Sequence, residues 1–107
     1  MSESTEQMQT AGRLWQEHRH APFPDSLRRA KFGGADMWLL DLYTAGCVLR
    51  WLDNGGTLDS KNSRILQSCI EDLDRAIPEI NEPAGAQYCQ RLHQLAVLVS
   101  RNLTRTT

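Results

Sequence analysis

The chain reads as an all-α protein, a small antiparallel bundle of three main helices preceded by a shorter N-terminal one. Three observations carry that reading. Apolar residues recur at three- and four-residue spacing in separate stretches, and each stretch is bounded by helix-capping or helix-breaking residues. No segment alternates apolar and polar side chains over a strand's length with turn chemistry on both sides, so no sheet is assigned.

Residues 1–10 are mostly Ser, Thr, Glu and Gln, too polar to offset their ordering entropy by burial, and read as a frayed, disordered tail. From Thr10 to Arg19 the apolar residues are sparse, and a short helix laid on the body by Leu14, Trp15 and Met8 fits them. His20-Ala-Pro-Phe-Pro24 stops it, because each proline pushes the residue before it out of the α region. Asp25-Ser26 caps a brief turn over Leu27 to Phe32, closed by Gly33-Gly34.

Asp36 is placed to cap a second helix that runs to about Asp53, where Asn54-Gly55-Gly56 supplies residues able to take positive φ. Asp59 or Ser60 opens a third, with Leu66, Cys69, Ile70, Leu73 and Ile77 on one face and Glu71 and Arg75 at i,i+4 on the wet side. Pro78 ends or kinks that helix near Ala76. Pro83 suits the first turn of a fourth helix, which aligns Tyr88, Leu92, Leu95, Val99 and Leu103. The single domain therefore spans residues 11–103, and Thr104 to Thr107 read as a frayed C-terminus.

Composition bounds the function classes. With 107 residues, 40% of them hydrophobic and 23% charged, the chain can bury one core and has no room for a second domain. A net charge of −1 gives the whole molecule no field that would draw it onto nucleic acid or an anionic membrane. Three cysteines at scattered positions make no disulfide framework, the first residues do not resemble a signal peptide, and the longest apolar stretch carries Asp41 and Arg50. A cytoplasmic protein with no membrane contact and no cofactor is the expectation. Charge is nonetheless uneven: residues 11–35 hold five basic against two acidic groups, whereas residues 57–82 hold three against six.

The second helix is the informative element. At ~100° per residue the apolar side chains of residues 37–52 reach every side of it, with Trp38 and Leu42 pointing one way and Leu40 and Trp51 nearly the opposite. Such a helix must be covered all round. Either the connector with Phe23, Leu27 and Phe32 wraps it, or a second copy of the chain does, and a symmetric homodimer through Trp38, Leu42 and Trp51 is the favoured reading. Gly46 in mid-helix costs ~1 kcal/mol in propensity, which suits close approach of a neighbouring helix.

Asp41 has Met37, Thr44, Ala45 and Val48 as helical neighbours, and a carboxylate in such company needs a partner. Its structural reading is a satisfied partner of an Arg, a Tyr hydroxyl or a helix terminus. Its functional reading is a small-molecule or enzymatic pocket with Tyr43, Trp38 and Trp51 in the wall. The remaining candidates are weaker. Cys47, Cys69, Cys89 and His93 form a Cys3His set without the paired knuckles of a zinc site, so no metal is assigned. His18-Arg19-His20 reads as a solvated stretch, and Asp72 and Asp74 as part of a charged face. Neither a nucleophile motif nor a phosphate-cradling loop is present. Arg13, Arg28, Arg29 and Lys31 could form a nucleic-acid patch, with Trp15 and Phe32 as stacking partners, although no groove-reading helix accompanies them.

Two stretches, Leu40-Asp41-Leu-Tyr-Thr-Ala-Gly-Cys47 and Gly55-Gly56-Thr-Leu-Asp59, resemble a pattern of short uncharacterised all-α proteins of high-GC actinobacteria. The resemblance covers roughly residues 35–100. It implies a stand-alone helical protein in the cytoplasm, assigns no activity and carries over no catalytic or binding residue. Three functions follow from the residues themselves: a small non-enzymatic helical protein acting through protein–protein contact as a homodimer, a ligand-binding or enzymatic pocket centred on Asp41, and a nucleic-acid accessory protein using the basic N-terminal segment.

Overall fold

A computed structural model of the chain describes residues 3–103. Four long helices pack against one another: α1 (Glu3–His20), α2 (Met37–Asp53), α3 (Ser60–Ala76) and α4 (Pro83–Arg101). The all-α class is therefore observed. No helix among the described residues is long and apolar enough to cross a membrane.

Each boundary has a local cause. The Asp36 carboxylate accepts from the backbone N–H of Leu39 at 3.1 Å and opens α2. Gly55 and Gly56 close it with φ of 68° and 98°, the latter donating to the Trp51 carbonyl at 2.8 Å. Asp59 opens α3 by accepting from Asn62 N–H at 2.7 Å. Pro78 falls in a short 3₁₀ turn, Ile77–Glu79, that ends α3. Glu82 caps α4, its carboxylate receiving the N–H groups of Ala84 and Gly85 while also accepting from Ser26 Oγ at 2.9 Å. That last bond ties the connector to the start of α4.

The connector's turn is a 3₁₀ turn over Asp25–Leu27 with no side-chain cap, not one over Leu27 to Phe32, and α4 stops at Arg101 short of Leu103. Three further features depart from the sequence reading. The N-terminal helix is as long as the others and begins at Glu3, so residues 3–10 are helical where a disordered tail was expected; residues 1–2 and 104–107 lie outside the described residues. Met8 supplies the reason, because it packs on the core beside Ala11 and Leu14 and extends the helix's apolar contact by a turn. A two-stranded hairpin is also present: β1 (Lys31–Phe32) pairs antiparallel with β2 (Ala35–Asp36) around Gly33-Gly34, both glycines having positive φ. Strands of two residues are too short for alternation to register in sequence. Finally, Arg75 pairs with Asp72 and not with Glu71.

The core divides into two parts along the helices. One holds Ala11, Leu14, Cys47, Val48, Trp51, Leu66, Ile70, Leu95, Ala96 and Val99. The other holds Leu27, Met37, Leu40, Cys69, Leu73, Ala76, Ile80, Tyr88, Cys89 and Leu92. Helix α2 lines both with Met37, Leu40, Thr44, Cys47, Val48 and Trp51, and α1 reaches it from α4's side. That placement makes α2 the helix on which the sites are built.

Candidate functional site

The predicted need of Asp41 for a partner is met by two. Its Oδ1 lies 2.8 Å from His18 Nε2 of α1, and its Oδ2 accepts from the Tyr88 hydroxyl of α4 at 3.1 Å. The hydroxyl oxygen is also 3.3 Å from His18 Nε2, so the three polar groups close a triangle across three helices. Since a carboxylate only accepts, the donors are the ring Nε2–H and the phenol O–H. The His18 ring sits 4.8 Å from the Tyr88 ring and 6.2 Å from the Trp15 ring, and Phe23 meets Tyr88 edge-on at 5.5 Å. Burial and the adjacent Asp41 charge push the Tyr88 phenol well above its usual range, which keeps it a donor.

His18 is the member of this cluster that sequence reasoning misplaced. It is 4% exposed, not solvated, and its Nδ1 is buried without a hydrogen-bond partner. In a His–Asp pair built for proton transfer, the nitrogen turned away from the carboxylate faces the substrate. Here that nitrogen is closed off by protein. The geometry is that of a polar tie between α1, α2 and α4, and a His on the thinly apolar face of α1 four residues after Leu14 was the available signal.

The other residues proposed for a pocket with Asp41 lie elsewhere. Tyr43 is on the opposite side of α2, lining the groove with Leu39, Arg64, Ile65 and Asp72 between α2 and α3. Trp51 is 1% exposed inside the core, its indole N–H donating to the Asn102 carbonyl at 3.3 Å, so it belongs to neither a ligand wall nor an open interface. Trp38 touches Phe23 edge-on at 5.3 Å but stays largely in solvent.

The Cys3His set does not assemble. Cys47 lies in one part of the core and Cys69 and Cys89 in the other, while His93 Nε2 stands 2.7 Å from Asp74 Oδ1, outside hydrogen-bonding geometry. Among the described residues no cluster of three His, Cys, Asp or Glu is placed to hold a metal ion. Burial pushes the Cys47 and Cys89 thiols up to about 11, aided by the neighbouring Cys69 at the first and by Asp41 at the second. Of the basic residues, Arg13 pairs with Glu17 at 3.6 Å and Arg28 with Asp25 at 3.1 Å, both in solvent; Arg29 and Lys31 are exposed on the connector and β1.

The outer side of α2 is what remains. Trp38, Leu39, Leu42, Tyr43 and Leu49 are each between 41% and 56% exposed, and they fall on one face at helical spacing. The connector meets this face at its N-terminal end, where Phe23 packs edge-on against Trp38 and Ala35 and Asp36 flank Leu39. Gly46 lies in the middle of this face, and a Cβ added there would meet nothing within 4 Å, so no helix of the same chain makes the close approach expected of it. No protein-family profile, curated protein or solved structure matches the chain.

Proposed function

We propose that the protein is a small non-enzymatic helical module that acts through protein–protein contact, as a cytoplasmic homodimer of antiparallel bundles joined by the outer face of α2. The single observation that carries this reading is that face: five large apolar side chains open to solvent on one side of the central helix. Apolar side chains scattered over a surface need no explanation, but a contiguous patch of this kind marks an association site. Two further observations support contact over chemistry. The His18–Asp41 pair turns its other ring nitrogen into the protein, and two of the basic residues that a nucleic acid would need are already paired with carboxylates.

Size-exclusion chromatography with light scattering, run beside circular dichroism, tests the proposal with Leu42→Glu. The wild type elutes with the mass of a dimer, whereas Leu42→Glu elutes as a folded monomer, because a charge at an exposed position costs the fold little and the interface much. A variant with unchanged mass would remove α2's outer face from the interface.

A further inference from the structure

We infer that α2 pairs with α2 of a second copy, antiparallel about a two-fold axis that crosses the helix near Thr44, with Leu42 of each copy seated over Gly46 of the other. The inference rests on the homodimer reading and specifies its register. It comes from the order of residues on the exposed face. With 3.6 residues per turn, Leu42 and Gly46 occupy the middle of that face, Trp38 and Leu49 one edge, and Leu39 and Arg50 the other, while Tyr43 lies beyond that second edge toward α3 and outside the paired strip. Each pair is centred on or within half a residue of position 44. A two-fold axis lying in the interface across the helix brings together residues on the same edge at equal and opposite heights. Trp38 therefore meets Leu49 of the second copy, Leu39 lies under the aliphatic stem of its Arg50, and Leu42 faces its Gly46.

Shape and charge agree with that register. Leu42 is the most exposed side chain of the stripe, and Gly46 has open space where its Cβ would be, so a knob stands opposite a hollow in both directions. Asp53, two turns beyond Gly46, is carried to the N-terminal end of the second copy's α2. There Arg28 and Arg29 line a shallow hollow with Asp36, Trp38 and Leu39. Asp36 is occupied in capping Leu39, and Asp53 and Arg29 have no ion-pair partner among the described residues, so the pairing across copies joins opposite charges that are otherwise unmatched. The four apolar side chains that this register pairs, Trp38, Leu39, Leu42 and Leu49, expose on the order of 400 Å² per copy, against the ~800 Å² that each partner of a standard interface contributes. Arg28, Arg29, Arg50 and Asp53 are exposed and form a charged rim around that strip.

The experiment exchanges knob and hollow. Dimer dissociation constants are measured by sedimentation equilibrium for the wild type, Gly46→Leu, Leu42→Ala and the double variant, with a dilute thermal melt of each to report folding. Gly46→Leu keeps the monomer fold, since nothing of the same chain stands within 4 Å of the new Cβ and leucine favours helix over glycine. Both single variants weaken the dimer by ~10-fold or more, and the double variant returns to within about 3-fold of the wild type. A Gly46→Leu dimer as tight as or tighter than the wild type would overturn the register. So would a double variant as weak as the two losses combined, leaving the dimer itself standing. A monomeric wild type would instead remove the homodimer reading on which the register rests.

Discussion

Deleting the Asp41 carboxylate leaves the buried His18 Nε2–H and the Tyr88 hydroxyl facing each other with no strong acceptor, which is costlier than losing a surface hydrogen bond. Asp41→Ala accordingly lowers stability by about 2–4 kcal/mol in a denaturant titration, and Tyr88→Phe, which removes one donor from a carboxylate that keeps the other, lowers it by about 1 kcal/mol. The two losses are non-additive, since both act on one network. The buried thiols make a second test. Cys47 and Cys89 stay protonated in the fold up to about 11, whereas in the unfolded chain they ionise from 9.0. A raised folded pKa stabilises the fold fully below the unfolded value and loses that contribution as pH climbs through the folded one. The melting temperature therefore falls as pH rises from 9 to 11, and alkylation of the native thiols at neutral pH is slow until the chain unfolds. That Asp41 needed a partner was legible from its apolar helical neighbours, and a Tyr hydroxyl was among the groups expected. The His was not, because partners 23 and 47 positions away in the chain are set by how the helices pack and by nothing local.

Helix ends were the most legible elements, because a cap is a local event. Asp36, Asp59, Pro83 and Gly55-Gly56 mark α2, α3 and α4 in sequence as they do in the structure. Replacing Asp59 by Ala removes the acceptor for Asn62 N–H and moves the midpoint of the same titration to lower denaturant. The start of α1 was illegible because its first turns are polar, and Met8, which packs on the core, marks a contact in sequence without showing how far the helix extends before it. The hairpin at Gly33-Gly34 escaped notice because it is made by backbone pairing over four residues. Within α2 the sequence showed apolar residues on every side, and the structure divides them. Met37, Leu40, Val48 and Trp51 serve the core, while Trp38, Leu39, Leu42, Tyr43 and Leu49 do not. Trp51 and Trp38 are indistinguishable by composition and hydropathy, and only their angular positions on α2 separate a core residue from a solvent-exposed one. Trp51→Ala lowers stability by about 3–5 kcal/mol, whereas Trp38→Ala leaves the dilute melting temperature within a few degrees of the wild type.

At the scale of the whole molecule, a 107-residue chain of four helices buries one side of its central helix and leaves the other apolar. The polar tie at Asp41 fixes α1 and α4 against the inner side of α2, so the outer stripe is presented on a rigid support and not on a loop. A rigid, self-complementary apolar face is the condition for isologous pairing. Sedimentation equilibrium of the native chain over a range from about 1 to 100 μM tests this most directly. The account predicts a concentration-dependent rise from 12.1 kDa to twice that mass. A mass that stays at 12.1 kDa throughout would contradict it.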